Sequence, residues 1–153
     1  LERAAKAFHP LPHRMEWIAD VDGVRFINDS KATSLEALAA GLKQAGRPVR
    51  LLAGGLWKKS ELDSIKDILA KHARGVYGFG QAGPAMCRAW FDTVPCRECG
   101  TLIEAARQAR SDAQPGEAIL LSPGCASFDQ FENFEERGRR FVEWVRNLQE
   151  TKG

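Results

Sequence analysis

The chain has 153 residues, which suffices for one domain with a hydrophobic core of its own. Its composition, 44% hydrophobic and 27% charged residues, is that of an ordinary globular fold. The net charge is only +2 and every apolar run is short, so the sequence predicts neither a nucleic-acid partner nor a membrane partner. Because the chain starts without Met and within a helix-like pattern, we expect it to be part of a longer protein.

Four cysteines are too few for a disulfide scaffold in a chain of this length. Cys96 and Cys99 form a CxxC pair, but the second pair that a zinc ribbon needs is missing, and the three histidines match no metal-binding pattern. We therefore expect reduced thiols and no metal bound by this chain alone. The minor alternative is a redox or metal role for this pair, with Cys96 close to a helix start expected near Thr101.

Strands and helices alternate along the chain. In order, the patterns predict a β-hairpin over 16–27 with an Asp-Gly turn, a helix over 34–45, a strand over 48–53, a helix near 62–69, a strand over 76–80, a helix to about 90, an edge strand over 93–96, a helix over 102–110, a strand over 118–121 and a helix over 131–148. This alternation predicts an α/β fold: a Rossmann-like three-layer sandwich with a mostly parallel sheet and an N-terminal β-hairpin.

A polar or glycine-rich segment follows each strand that the pattern places at the centre of the sheet: 28–33, 54–59, 80–83 and 122–127. The carboxyl ends of parallel strands share one edge, so these segments can converge on one ligand. Their lysines and hydroxyls suit an anionic ligand. The alternative is that the hydroxyls only cap helices and the glycines only permit tight turns, although capping does not explain the lysines.

Other motifs in the chain are weak. Residues 78–83 spell GxGxxG, but too late for the first βα unit, and the chain has no Walker A loop and no recognisable Ser-His-Asp arrangement. His13 and Arg14 lie in a proline-containing segment that we interpret as a linker. An arginine in such a linker could still reach a phosphate bound by a neighbouring domain.

Four segments, taken together and in order, carry a family resemblance. They are Leu-Pro-His-Arg-Met-Glu at 11–16, Gly-Val-Arg-Phe-Ile-Asn-Asp-Ser-Lys-Ala-Thr at 23–33, Leu-Ala-Gly-Gly at 52–55, and the run from Leu121 to Gly138 that contains Ser-Pro-Gly-Cys-Ala-Ser-Phe-Asp-Gln-Phe. With these segments the chain resembles the C-terminal domain of the Mur ligases, in the branch that adds glutamate. The resemblance extends over essentially the whole chain.

The resemblance implies an ATP-dependent amide ligase that acts in the cytoplasm on UDP-N-acetylmuramoyl-L-alanine and glutamate, in peptidoglycan synthesis, through an acyl phosphate. Residues 1–12 would be an interdomain linker or the end of a central domain, and residues 13–153 the C-terminal, amino-acid-binding domain. The N-terminal domain would hold the UDP-sugar, and the central domain the Walker A loop and most of the contacts to ATP and Mg²⁺. This domain would then be inactive alone.

The resemblance also assigns site residues by position. Arg14 and Asp29 would contact ATP. The amino-acid substrate would be bound by Lys31, Thr33, Lys58, Ser127, Phe128 and Phe134, while no catalytic or metal-binding residue falls in this domain. Cations and hydroxyls fit a dicarboxylate, and phenyl rings fit its methylene groups.

The chain departs from the family at two places. Leu56-Trp57-Lys58-Lys59 lacks the aspartate and glycine that the family places after Gly54-Gly55, and Phe128 stands where leucine is common. One interpretation is an altered amino-acid specificity, such as L-glutamate; the other is drift in a tolerant loop. A stand-alone module that binds small anions is a further alternative.

Overall fold

The computed structural model describes residues 11–56, 61–127 and 129–152, and these contain six β-strands and five α-helices. In chain order they are β1 (Glu16–Val21), β2 (Val24–Asn28), α1 (Leu35–Gln44), β3 (Val49–Gly54), α2 (Lys66–His72), β4 (Ala73–Phe79), α3 (Gly83–Trp90), β5 (Cys96–Gly100), α4 (Leu102–Asp112), β6 (Ala118–Gly124) and α5 (Phe134–Lys152). A short 3-10 helix, Leu62–Ile65, leads directly into α2.

The strands form a single sheet in the order β1-β2-β6-β3-β4-β5. The β1–β2 pair is antiparallel and the other four pairs are parallel. Helices α1, α2 and α3 cover one face, and α4 and α5 cover the other. The predicted fold class, a three-layer α/β sandwich with a mostly parallel sheet and an N-terminal hairpin, is confirmed.

Each face of the sheet carries its own hydrophobic core. Leu42, Leu69 and Met86 belong to the core under α1–α3, and Phe26 and Phe141 to the core under α4 and α5. All five are fully or almost fully buried. Within the described ranges, no helix combines the length and the apolar character needed to span a membrane.

Local signals placed the first half of the fold correctly. The hairpin turn has positive φ at both Asp22 (54°) and Gly23 (81°), the conformation that a two-residue turn between twisted strands requires. The side chain of Ser34 caps α1 by accepting a hydrogen bond from the N–H of Ala37. Gly46, at φ 75°, follows the end of the same helix.

The predicted edge strand exists, since β5 lies at the edge of the sheet, but its predicted bounds of 93–96 are wrong: β5 is Cys96–Gly100. Thr93 and Val94 both donate their N–H groups to the carbonyl of Trp90 and so complete the end of α3. Pro95 has no N–H to give to a sheet, and the strand therefore starts after it.

This shift changes the setting of the CxxC pair. Cys96 packs with the core under α1–α3 and Cys99 with the core on the opposite face. The thiol of Cys96 donates a hydrogen bond to the carbonyl of Val94 (3.3 Å), and the neighbouring thiol of Cys87 in α3, together with burial, raises the pKa of Cys96. Burial also raises the pKa of Cys99, to about 11. Neither thiol lies at a helix start, and neither shift favours a reactive thiolate.

Gly54 shows why glycines end β3. Its φ is 145°, and a Cβ at this position would meet the backbone carbonyl of Phe79 on the neighbouring strand. Because backbone cannot move aside as a flexible side chain can, only glycine lets β3 and β4 stay this close at the edge where the ligand loops begin. The structural interpretation of this glycine is therefore supported.

We expect Gly54→Ala to lower the free energy of unfolding by about 3 kcal/mol, since it adds a backbone clash to an unfavourable φ. The matched control is Gly46→Ala, which also has a positive φ but no atom within 4 Å of the added Cβ. It should cost about 1 kcal/mol. Urea unfolding of both variants measures the difference, and equal losses would contradict the close-approach explanation.

Candidate functional site

The candidate site lies at the carboxyl edge of the sheet, where β2 and β6 pair side by side. The chain leaves β2 for α1 on one face and leaves β6 for α5 on the other. Neighbouring strands whose connections leave toward opposite faces create a crevice, and open α/β sheets bind ligands there. The segment before β1 reaches the same edge, because β1 runs antiparallel to β2.

Asp29 is a buried carboxylate in this crevice, 5% exposed. Its Oδ2 accepts a hydrogen bond from the hydroxyl of Ser122 in β6 (2.8 Å), and its Oδ1 accepts one from the N–H of Met15 (3.1 Å). Burial raises the pKa of Asp29, and the Ser122 and Met15 hydrogen bonds and the charge of Arg14 oppose this effect. Gly41 of α1 leaves room for the group, since a Cβ there would lie 2.8 Å from Oδ2.

A cleft of about 250 Å³ opens over this carboxylate. Arg14, Asp29 and Lys31 line it together with the surface of α1 around Gly41. Arg14 is exposed, whereas Asp29 lies at depth. The structure thus brings the two residues predicted to contact ATP into one cleft, and it adds Lys31 to them.

The backbone around Arg14 is held in an unfavourable conformation. His13 and Met15, on either side of it, have φ values of 68° and 46°. Left-handed conformations of non-glycine residues cost about 1–3 kcal/mol each and persist only where surrounding bonds enforce them. Here the N–H of Lys31 donates to the carbonyl of His13 (2.9 Å), and Met15 is held by Asp29. The segment at 13–15 is thus fastened to the loop after β2.

Asn28 forms a second link between these segments. Its Oδ1 accepts from the N–H of Ser30 (3.1 Å), which fixes the orientation of the amide. Its Nδ2 then donates to Nδ1 of His13 (2.9 Å) and to Oε1 of Glu16 (3.0 Å). The amide of Asn28 therefore joins the segment before β1 to the loop after β2.

Phe134, the first residue of α5, faces the same group of side chains. The ammonium of Lys31 lies 4.8 Å from the centre of its ring, and the ring of His13 meets it edge-on at 6.0 Å. A cation over an aromatic face is stabilised by the ring's negative centre. The interaction holds Lys31 at the mouth of the cleft, so the predicted pair Lys31 and Phe134 is in contact.

The remaining predicted residues are dispersed. Thr33 lines a second cleft of about 460 Å³, together with Leu56, Cys125 and Ala126. Ser127 is 2% exposed, and its carbonyl accepts hydrogen bonds from the N–H groups of two later residues in its own loop. Lys58 and Phe128 lie outside the described residues. Residues 31–33 therefore lie between two clefts, whereas the loops after the central strands were expected to converge on one ligand.

Sequence reasoning missed two residues that organise this edge, and it misjudged a third. Arg137 is fully buried and donates hydrogen bonds to the loops after β2 and β6. Asn28 holds the segment at 13–15, and His13 packs against Phe134 where we expected a linker residue. A signal for Arg137 was available, because a charged residue occupies a position in the apolar stripe of the last helix.

The arrangement can bind an anion beside a hydrogen-bond acceptor. Arg14 and Lys31 supply the cationic donors at the mouth of the first cleft, and Asp29 supplies an acceptor at its base. Each carboxylate oxygen of Asp29 accepts one protein donor and retains a lone pair for another. The described residues therefore form an α/β domain with a polar crevice at the carboxyl edge of its sheet.

Comparison with known proteins gives the family. The family "Mur ligase, glutamate ligase domain" matches residues 13–125. The chain belongs to this family, as its sequence motifs predicted.

The similar curated proteins are consistent with this assignment. The chain is 42% identical over 149 residues to the UDP-N-acetylmuramoylalanine–D-glutamate ligase of Pseudomonas fluorescens, covering 95% of the chain and 33% of the relative. It is 39% identical over 150 residues to the ligase of the same name from Chlamydia felis, covering 98% of the chain and 36% of the relative. The chain thus spans about a third of the length of these relatives.

Solved structures confirm the fold. A ligand-free bifunctional folylpolyglutamate synthase/dihydrofolate synthase from Yersinia pestis matches 91% of the chain and 32% of its own length, with a TM-score of 0.60 at 17% identity. A murein peptide ligase from Psychrobacter arcticus matches 92% of the chain and 32% of its own length, with a TM-score of 0.58 at 18% identity. A single domain from a putative ligase of Haemophilus ducreyi matches 86% of the chain and 99% of its own length, with a TM-score of 0.57 at 14% identity.

The buried carboxylate of Asp29 generates a pH prediction. Because burial raises its pKa above the ordinary 3.8, the folded chain binds this proton more tightly than the unfolded chain. Its contribution to stability therefore declines as the pH rises from about 3.8 through the folded pKa. Asp29→Asn removes the titration and can keep both hydrogen bonds, since its Oδ1 accepts from Met15 and its Nδ2 can donate to Ser122.

We expect the free energy of unfolding of Asp29→Asn, relative to the wild type, to increase as the pH is raised from about 4 to about 7. Urea unfolding at intervals across this range measures the difference between the two proteins. If the free energies of unfolding of the two proteins changed in parallel with pH, burial would not raise the pKa of Asp29.

Proposed function

We propose that the chain is the amino-acid-binding domain of an ATP-dependent ligase that adds D-glutamate to UDP-N-acetylmuramoyl-L-alanine in peptidoglycan synthesis. The observation that carries the proposal is the cleft shared by Arg14, Asp29 and Lys31, in a chain of this family. The similar curated proteins are named as D-glutamate ligases, which supports the choice of substrate.

The proposal assigns this chain one part of a longer enzyme. Residues 13–153 form the C-terminal domain, and residues 1–12 are the linker or the end of a central domain. The N-terminal and central domains hold the UDP-sugar and most of the contacts to ATP and Mg²⁺, and the enzyme acts in the cytoplasm. In the overall reaction the carboxylate of the UDP-sugar takes a phosphoryl group from ATP, and the amine of glutamate then displaces phosphate from the acyl phosphate.

In this proposal Arg14 and Asp29 bind ATP from across the domain interface. The guanidinium of Arg14 is exposed at the mouth of the cleft, where it can pair with phosphate oxygens. The Asp29 carboxylate, held by Ser122 and Met15, can accept hydrogen bonds from ribose hydroxyls. Fixing this carboxylate before the nucleotide arrives reduces the cost of ordering it on binding.

Lys31 and Phe134, which are in contact with each other, form the centre of the proposed glutamate site. The Lys31 ammonium is available to a carboxylate, and the Phe134 ring beneath it can cover the methylene groups of the amino acid. We assign Thr33, Lys58, Ser127 and Phe128 to the same substrate. Thr33 lines the second cleft, on the other side of this loop from Lys31.

The role of Lys31 can be tested in the full-length enzyme. We expect Lys31→Ala to lower kcat/KM for glutamate by about 10- to 100-fold, because it removes one charge-assisted hydrogen bond worth about 1.5–3 kcal/mol. The matched control is Lys43→Ala, an exposed lysine in the last turn of α1 that does not line this cleft. The kcat/KM of Lys43→Ala should stay at the wild-type value. If the kcat/KM of Lys31→Ala also stayed there, Lys31 would not belong to the glutamate site.

The enantiomer of glutamate is a separate prediction. We expect the full-length enzyme to form product with D-glutamate and to use L-glutamate at least about 100-fold less efficiently, a discrimination that costs about 3 kcal/mol in the transition state. Product formation with each enantiomer at equal concentration measures the ratio. A preference for L-glutamate would instead support the altered specificity suggested by Leu56-Trp57-Lys58-Lys59.

A further inference from the structure

We propose that Arg137 is a positioning residue that fixes the loop after β2 against the loop after β6, and so sets the spacing between the two halves of the ligand site. The proposal rests on the proposed function for the identity of the ligand. The first of these loops carries Asp29, Lys31 and Thr33. The second carries Ser127 and leads to Phe134 at the start of α5.

The guanidinium of Arg137 connects both loops through three hydrogen bonds. Its Nε donates to the hydroxyl of Ser30 (2.9 Å), and one Nη donates to the carbonyl of the same residue (2.8 Å). The other Nη donates to the carbonyl of Cys125 (3.0 Å). Because the group is planar and rigid, these bonds fix the distance and the angle between Ser30 and Cys125 together.

Ser30 extends the connection to α5. Its hydroxyl accepts from Arg137 and donates its own hydrogen to the carbonyl of Phe134 (2.7 Å). Phe134 is the residue whose ring lies under the Lys31 ammonium. Arg137 therefore acts on the predicted glutamate site at two points, through the backbone beside Lys31 and through the first turn of α5.

A third loop closes over the guanidinium. Gly55, which follows β3, lies so near that a Cβ there would meet the carbonyl of Ala126 and would come within 3.1 Å of an Nη of Arg137. Gly138, the next residue of α5, leaves space for the ring of His13, because a Cβ at this position would collide with that ring. Glycines on both sides thus let the loops after β2, β3 and β6 and the segment before β1 approach one arginine.

The energetics argue against a role limited to core packing. Arg137 is 0% exposed, and among the described residues no carboxylate forms an ion pair with it. Burial lowers the pKa of Arg137 to about 10, which reflects the cost of placing this charge in the interior. Because burying a charge without a carboxylate partner costs stability, packing alone does not account for an arginine at this position. What only arginine supplies here is the planar set of donors.

The experiment compares three variants of the full-length enzyme. Arg137→Lys keeps the positive charge but loses the planar set of N–H donors that bonds Ser30 and Cys125 together. Ser30→Ala removes the hydroxyl that joins Arg137 to Phe134, yet changes the buried volume little. Arg139→Lys is the control, since Arg139 is exposed on the same helix and, among the described residues, its side chain donates no hydrogen bond to either loop.

We expect Arg137→Lys and Ser30→Ala each to lower kcat/KM for glutamate by about 10-fold or more at temperatures well below their melting midpoints, with Arg139→Lys unchanged. The double variant should lose little beyond the larger single effect, because both changes break one connection. If Arg137→Lys does not fold, Ser30→Ala carries the test. Melting midpoints that fall while kcat/KM stays within about twofold of the control would overturn the proposal.

Hydrogen exchange separates this inference from the proposed function. Amides of residues 29–33 and 125–127 should exchange faster in both variants, while amides in β4 keep their wild-type rates. This readout needs no substrate, so it decides the positioning role even if the wild-type enzyme does not ligate glutamate. Unchanged exchange in both loops would contradict the role of Arg137, whatever reaction the enzyme catalyses.

Discussion

The hydrogen bond between Ser122 and Asp29 joins the two strands whose connections leave toward opposite faces of the sheet. A carboxylate buried at this point needs donors, because burial alone raises its pKa and disfavours its charged form. Ser122 and the N–H of Met15 supply them. The second of these bonds brings the segment before β1 into the crevice, and so places Arg14 at the mouth of the cleft.

The polar groups around this bond form one connected network. Asn28 holds His13 and Glu16, Arg137 holds Ser30 and Cys125, and the carbonyl of His13 accepts from the N–H of Lys31. No described buried side-chain polar atom lacks a hydrogen-bond partner. A network that is fully satisfied specifies one arrangement of its loops, whereas a partly satisfied one would be costly. The ligand loops are thus defined by tertiary bonds more than by their own backbone preferences.

This distinction explains what the sequence could predict. The hairpin, the capped helix α1 and the alternating order depend on local patterns, and each was predicted correctly. The start of β5 was not: its pattern looked extended from Thr93, but the N–H groups of Thr93 and Val94 are bonded to Trp90 at the end of α3, and Pro95 has no N–H to give to a sheet.

The site residues divide in the same way. Arg14, Asp29 and Lys31 were assigned through motifs, and they do share one cleft. The positions of Thr33 and Ser127 relative to that cleft, and the role of Arg137, depend on contacts between loops far apart in sequence. Local sequence patterns seldom indicate such contacts. Here the indication is Arg137, a charged residue within the apolar stripe of α5.

The most direct test is a crystal structure of the full-length enzyme with ADP and D-glutamate bound. We predict that Arg14 and Asp29 lie within hydrogen-bonding distance of the nucleotide, and that the Lys31 ammonium contacts a carboxylate of the amino acid above the Phe134 ring. A structure in which both ligands are bound but neither touches these four residues would contradict the account.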